Sequence, residues 1–180
     1  MMKPQETKDY GADGVDIQTA KLLQAKAYPD PRTRPGPLLW NGQEVWTHFE
    51  LRTPKTGRLR LEFLSDPIEP MQGFDVKVES GAIELLGGER VQLLRTWNDD
   101  QYESSVEYPY RSESGLIRVW NVYKRQWFNG EMVDEKWTGN AGFLVSRKDE
   151  RTWLFRCSDG SPEFPVFSRL VVGVSILGES

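Results

Sequence analysis

The stretch WTHFELRTPKTGRLRLEF, residues 46–63, indicates the fold class, because polar and apolar residues alternate in it on both sides of a turn. Phe49 and Leu51 form an apolar stripe before the turn, and Leu59, Leu61 and Phe63 continue it afterwards. A period of two is typical of β-strands that bury one face. We therefore expect a β-hairpin whose apolar side helps to form the core.

The other side of this hairpin is charged and carries the single histidine of the chain, His48. With a loop over residues 53–57, the expected cross-strand pairs are Arg52 with Arg58, Glu50 with Arg60, and His48 with Glu62. Opposite charges facing each other across two strands stabilise a sheet by roughly 0.2–1 kcal/mol. This face is therefore expected to be solvated and salt-bridged, with Trp46 and His48 as its only recognition candidates.

The rest of the chain continues the β pattern. Gly87-Gly88, Asn129-Gly130 and Asp159-Gly160 are typical of hairpin turns. Many short strands without a second helix predict a mainly β fold, either an antiparallel β-sandwich or a jelly-roll-like barrel, with one short N-terminal helix. The last strand is apolar on both faces, which favours the interior of a sheet. The further predicted strands are residues 74–79, 82–86, 90–97, 102–110, 116–128, 142–147, 151–157 and 164–177.

The N-terminal region divides into three parts. Residues 1–14 are polar and are expected to be poorly ordered. Residues 15–36 predict a short helix followed by a proline-rich arm, with Asp13 or Asp16 as the helix cap. The apolar face of this helix would consist of Ile17, Ala20, Leu23 and Ala27. Residues 37–180 then form a single β domain.

The composition excludes several classes of protein. A net charge of -4 is unfavourable for a general nucleic-acid binder and suits a basic partner better. One cysteine and one histidine cannot build a Cys/His metal site, and we expect no cofactor and no metal. No secretory signal and no long apolar run is visible, so a cytoplasmic protein without a membrane partner is expected.

The sequence offers little that suggests catalysis. The nucleophile elbow, the phosphate-binding loop and the zinc-protease motif are all missing. Cys157 ends an apolar strand and is expected to be a buried, inert thiol. A glycosidase is the hardest enzyme to exclude, since it needs only two suitably spaced carboxylates. We nevertheless predict a protein that is not an enzyme.

Aromatic residues, at 12% of the chain, are the least ordinary feature, and several stand next to acidic residues. Tryptophan and tyrosine combine a large apolar area with a polar tip, which suits both protein contacts and sugar stacking. The candidate binding residues are Trp46, His48, Asp99, Asp100, Tyr102, Tyr108, Tyr110, Trp127, Asp134, Glu135 and Trp137.

These observations lead to a main hypothesis and three alternatives. The main hypothesis is a non-catalytic, cytosolic protein-binding module, of an inhibitor or immunity type, that occludes a basic protein partner. The first alternative is a carbohydrate-binding β-sandwich, for which coplanar rings on a concave face would be expected. The others are a barrel that encloses a small ligand and a structural subunit of a larger assembly.

Overall fold

The computed structural model describes residues 8–34, 36–160 and 164–178. The chain is mainly β, with antiparallel sheets and one α-helix, which confirms the predicted fold class. The helix α1 is Ile17–Ala27, and short 3-10 helices lie at Gly11–Asp13 and Pro31–Thr33. The strands are β1 Leu38–Trp40, β2 Gln43–Val45, β3 Phe49–Arg52, β4 Thr56–Phe63, β5 Gln72–Val78, β6 Gly81–Glu84, β7 Arg90–Val91, β8 Leu93–Trp97, β9 Ser105–Ser112, β10 Leu116–Gln126, β11 Met132–Glu135, β12 Gly142–Asp149, β13 Thr152–Ser158 and β14 Leu170–Leu177.

The strands form two main sheets in a sandwich-like arrangement. A seven-stranded sheet has the order β12-β13-β14-β4-β9-β6-β7. A five-stranded sheet has the order β11-β10-β5-β8, with β3 also paired to β10. A separate β1-β2 ribbon packs near α1. Within the described residues the sheets do not close into a barrel.

The main core lies between the two large sheets, with Phe155 of β13 at an aromatic junction. Its ring centroid is 5.9 Å from that of Phe49, 5.3 Å from that of Phe74 and 5.5 Å from that of Phe143. Phe49 and Phe74 belong to the five-stranded sheet, whereas Phe143 belongs to the seven-stranded sheet. The Phe155 ring therefore joins the two layers. Cys157 lies on the same strand and is fully buried, as the sequence predicts.

The predicted pairing of residues 46–63 is wrong, although the predicted facing is right. Leu51, Leu59, Leu61 and Phe63 are buried as expected, and the partly buried Phe49 packs against them. However, β3 pairs with β10, while β4 pairs with β14 and β9. The two strands belong to different sheets, so the three predicted charge pairs across a hairpin do not form. Alternation determines which side chains face inward but does not determine the partner strand.

The predicted helix is present, and Asp16 caps it by accepting a hydrogen bond from the Thr19 amide at 2.8 Å. Ile17 and Ala20 are buried, but Leu23 and Ala27 are exposed, so the apolar face covers only the first part of the helix. It packs into a second, smaller core with Leu38 and Val45.

The expectation of poor order at residues 1–14 stays a prediction, although part of this stretch contacts the fold. Residues 1–7 lie outside the described residues. Residues 8–14 are placed on the fold, because Tyr10 is buried in the smaller core and Asp9 forms a β-bridge with Leu39.

The turn signals have different outcomes. Gly87, Gly88 and Gly130 adopt positive φ angles in the hairpins β6-β7 and β10-β11, as expected. Asp159-Gly160 is not a hairpin turn: Asp159 is buried and pairs with Arg169 at 3.1 Å.

The predicted interior position of β14 is confirmed, since it lies between β13 and β4. Strands β1, β2 and β11 are additional to the prediction.

Candidate functional site

Two loops meet at one end of the sandwich, next to the base of a third. Residues 64–71 connect β4 to β5, residues 98–104 connect β8 to β9, and residues 127–131 form the β10-β11 turn. The Asn98 side chain ties the first two loops together by donating to the Ser65 carbonyl at 3.1 Å. The Lys124 amide donates to the Met71 carbonyl at 2.9 Å, which places the base of the β10-β11 hairpin beside the same end.

The first two loops enclose a strongly acidic surface, which we call the acidic cleft. It consists of two cavities of about 440 and 280 Å³ that both contact Asp99 and Asp100. No lysine or arginine of the described chain lines either cavity. Within residues 8–34, 36–160 and 164–178, none of its five carboxylates takes part in an ion pair. These carboxylates are Asp66, Glu69, Asp99, Asp100 and Glu103.

The backbone of residues 98–104 explains why this loop presents its side chains to solvent. The Asp99 carboxylate accepts a hydrogen bond from the Gln101 amide at 3.0 Å, and the Asp99 carbonyl accepts one from the Tyr102 amide at 3.1 Å. Such local side-chain bonds favour turns. The turn leaves the Tyr102 side chain 69% exposed at the rim of the acidic cleft.

The β10-β11 turn carries an exposed apolar pair, Trp127 and Phe128, which we call the aromatic tip. The two rings are stacked at 6.5 Å with an interplanar angle of 13°. Phe128 is 99% exposed, and Trp127 is held on the hairpin by its indole N–H, which donates to Glu135 at 3.4 Å. Met132, also exposed, begins the next strand. A stacked, solvent-exposed aromatic pair of this kind is typical of contact surfaces rather than of cores.

Asp134 belongs to a structural charge network on the outer face of the five-stranded sheet. The buried Asp75 accepts two hydrogen bonds from Arg95, both at 2.8 Å, and Arg95 also reaches Asp134 at 3.1 Å. Lys124 donates to Asp134 at 2.8 Å and lies 4.5 Å from the ring centroid of Trp97. The Lys124 hydrogen bond holds the pKa of Asp134 below its usual value. Because the charged Asp134 carboxylate is already paired with Arg95 and Lys124, Asp134 is a weaker candidate for binding a partner.

Glu135 is satisfied in a similar way. Its carboxylate accepts from the Thr138 hydroxyl at 3.0 Å and pairs with Arg125 at 3.3 Å. These contacts stabilise the β10-β11 hairpin and position the base of the aromatic tip. Glu135 thus supports the site without being available to a partner.

The two predicted tyrosines of β9 lie away from this end. Tyr110 is buried in the main core, and its hydroxyl donates to the Pro54 carbonyl at 2.9 Å. Tyr108 is partly buried and packs against the same core. The ring of Tyr110 therefore helps to fill the interior, and Tyr110 belongs neither to the acidic cleft nor to the aromatic tip.

Trp46, His48 and Trp137 form a separate group near β3. Trp46 is partly buried, with its ring 5.0 Å from that of Phe49. His48 is exposed and contacts the edge of the exposed Trp137, with ring centroids 6.5 Å apart. The acidic cleft and the aromatic tip thus take only Asp99, Asp100, Tyr102 and Trp127 from the predicted set.

The structure adds Asp66, Glu69, Glu103 and Phe128 to these sites. Three of them stand beside a turn signal in the sequence, since Asp66 and Glu69 both precede a proline and Phe128 precedes Asn129-Gly130. The proline and Asn-Gly signals of the loops therefore indicate these positions, whereas the alternation of the strands does not.

The exposed position of His48 leads to a first prediction. The His48→Ala variant should change the free energy of unfolding by less than about 0.5 kcal/mol, because few packing contacts are lost at an exposed site. Urea unfolding followed by tryptophan fluorescence measures this. A loss of several kcal/mol would contradict the exposed placement.

Among the residues whose placement is described, no group of three His, Cys, Asp or Glu side chains comes together as a metal site would need. None of the helices found in that same part of the chain is both long and apolar enough to cross a membrane.

No protein-family model, curated protein or solved structure matches this chain.

Proposed function

We propose that this chain is a non-catalytic protein-binding domain that covers a basic surface of a partner protein. The observation that carries the proposal is the acidic cleft, with five carboxylates that form no ion pair within the described structure. Unneutralised charges of one sign in a concave surface concentrate the electric field there. Such a surface accelerates encounters with a partner of opposite charge and disfavours acidic partners.

The aromatic tip would supply the apolar part of the same contact. Charge complementarity contributes mainly to association rate and specificity, whereas buried aromatic side chains contribute most to residence time. Trp127 and Phe128 project from a hairpin whose base lies beside the loop that lines the acidic cleft. One basic partner with an apolar pocket could therefore engage both features.

In its more specific form, the proposal is an inhibitor or immunity-type protein that acts in the cytoplasm. This step depends on the small size and acidic charge of the chain rather than on a contact in the structure. A carbohydrate platform has less support. The Trp120 and Trp137 rings are tilted by 58°, and the ammonium of Lys136 lies over both of them.

A capture experiment with matched charge variants tests the proposal. The tagged protein is incubated with its native lysate at physiological salt, and the retained proteins are quantified by mass spectrometry. The Asp99→Asn/Asp100→Asn variant removes two charges from the acidic cleft while keeping an oxygen at position 99 for the Gln101 amide. We expect it to retain a stoichiometric basic partner at least tenfold less than the wild type.

The control is a variant with the same change in net charge elsewhere. Glu84→Gln/Glu89→Gln alters two exposed acids of the β6-β7 hairpin, which pairs with the far end of β9. This variant should retain the partner as well as the wild type does. Equal capture by all three proteins, or capture of no basic protein, would contradict the proposal.

A further inference from the structure

A second unusual cluster lies where β3 and β11 leave a gap along β10. Strand β3 pairs with β10 as far as Val119, and β11 pairs with it from Tyr123 onward. Lys136 and Trp137, which follow β11, lie beside Trp120 in this gap. We call Trp120 and Trp137 the tryptophan cage. It shares no residue with the acidic cleft.

The chain's own lysine occupies the tryptophan cage. The Lys136 ammonium lies 5.0 Å from the ring centroid of Trp120 and 4.5 Å from that of Trp137, and the two centroids are 5.6 Å apart. Both distances are within the range of cation–π attraction. Over the described residues, this ammonium forms neither a hydrogen bond nor an ion pair. The described part of the protein therefore offers this ammonium two aromatic rings and no hydrogen-bond acceptor.

Two independent features set this cluster apart from an ordinary surface contact. Trp120 is only 5% exposed, and its indole N–H has no hydrogen-bond partner in the described structure. Trp137 has a φ angle of 62°, which a bulky side chain rarely adopts. Strained backbone clusters at binding sites, and an unpaired buried donor is rare in a folded protein.

The chemistry of the site favours one class of ligand. An unmodified ammonium gains no hydrogen bond from the described part of the protein here, so its N–H groups are not recognised. A methylated ammonium has C–H groups in place of N–H groups, so it keeps the positive charge without needing acceptors. We propose that the tryptophan cage binds a methylated ammonium group, and that Lys136 occupies the cage in the free protein.

The surroundings offer room for the rest of such a ligand. His48, which contacts the edge of Trp137, also lines a cavity of about 640 Å³. Trp46, Arg34 and Glu50 line the same cavity. The Glu50 carboxylate is paired with Arg118 at 3.1 Å, so the aromatic wall of Trp46 is the part of this cavity that suits a cation. The methylated group could belong to a small solute or to a modified lysine side chain. This inference does not depend on the function proposed for the acidic cleft.

Calorimetric titration with tetramethylammonium chloride tests the proposal, with ammonium chloride as the unmethylated comparison at equal ionic strength. The Lys136→Gln variant should bind tetramethylammonium at least tenfold more tightly than the wild type, because the competing ammonium is gone. Neither protein should bind ammonium. The matched control is Lys124→Gln, which removes the lysine that lies over Trp97 and should behave as the wild type.

A second variant keeps the test independent of folding. Adding Trp137→Ala to Lys136→Gln should abolish binding, and thermal unfolding shows whether this protein is folded. If it is not, the indole N–H resonances of Trp120 and Trp137 in Lys136→Gln should shift on titration while those of Trp97 and Trp153 do not. Absence of saturable binding to Lys136→Gln, or shifts spread over all the tryptophans, would overturn the proposal.

A peptide with one trimethyllysine then identifies the source of the ligand. Binding at least tenfold tighter than tetramethylammonium, and absent for the unmodified peptide, would support a protein side chain. Equal or weaker binding of the peptide would support a small solute instead.

Discussion

The Phe155→Ala variant should lose about 3–5 kcal/mol of the free energy of unfolding, the largest effect that we expect from a single substitution. Phe155 is fully buried and contacts aromatic rings from both sheets, Phe49 and Phe74 on one side and Phe143 on the other. Removing its ring leaves a cavity between the two layers, which close packing cannot refill completely. Since small domains are stable by about 5–15 kcal/mol, this loss is a large fraction of the total free energy of unfolding.

Urea unfolding at 25 °C, followed by tryptophan fluorescence and by circular dichroism, measures this loss. Phe155→Leu should lose clearly less, because it keeps part of the buried volume. The matched control is Phe128→Ala at the aromatic tip, which should stay within about 0.5 kcal/mol of the wild type because the ring is 99% exposed. Equal losses in Phe155→Ala and Phe128→Ala would show that the main core is not where the structure places it.

The outcome for residues 46–63 shows what alternation in a sequence can and cannot predict. The facing of Leu51, Leu59 and Leu61 follows from local periodicity, because every second side chain of a strand points the same way. The partner of each strand depends on contacts far along the chain. Strand β3 pairs with β10 through Glu50 and Arg118, whose side chains are 3.1 Å apart. A distant arginine thus replaces the nearby Arg60 as the partner of Glu50.

The acidic cleft was only partly predictable for the same reason. Asp99, Asp100 and Tyr102 are neighbours in the sequence and could be proposed together. Asp66 and Glu69 join them because β4 and β9 pair side by side and their connections to the other sheet meet at one end. That meeting is a property of the sheet order, which local patterns do not encode.

The tryptophan cage lies further from what the sequence predicts. Nothing local indicates that β3 and β11 share one edge of β10 or that the gap between them falls at Trp120. Trp137 was a candidate for recognition, but its neighbour Lys136 was not. The position of this ammonium over two tryptophans follows only from the register of both strands on β10.

The loop that carries Trp137 is held by a lysine of α1, and this contact leads to a prediction of pH dependence. The Lys21 ammonium donates to the carbonyls of Ala141 at 2.5 Å, Gly139 at 3.2 Å and Trp137 at 3.5 Å. Burial lowers the pKa of Lys21 to about 8, from 10.5 in an exposed lysine. Between these two pH values the unfolded chain holds more protons than the folded chain, so stability from this group increases as the pH rises.

The Lys21 contribution is therefore fully present above pH 10.5 and is lost as the pH falls to 8. Taken alone, the lowered pKa of Lys21 corresponds to a difference of about 3 kcal/mol in the free energy of unfolding between the low and the high end of this pH range. The three carbonyls favour the charged form and oppose the shift, so we expect a rise of about 1–3 kcal/mol relative to Lys21→Met. Chemical unfolding of both proteins from pH 7.5 to 10.5 gives this difference directly, because other titrating groups cancel.

Lys26, an exposed lysine in the last turn of the same helix, provides the control. The Lys26→Met variant still contains Lys21. Its free energy of unfolding, measured relative to that of Lys21→Met, should therefore rise with pH as much as that of the wild type does. A difference between wild type and Lys21→Met that stays constant over this pH range would mean that the three carbonyls fully offset the effect of burial. A difference that falls with increasing pH would mean that they outweigh it. In either case the predicted rise with pH would be absent, and Lys21 would hold the loop of Trp137 as a cation up to the ordinary pKa of a lysine, 10.5.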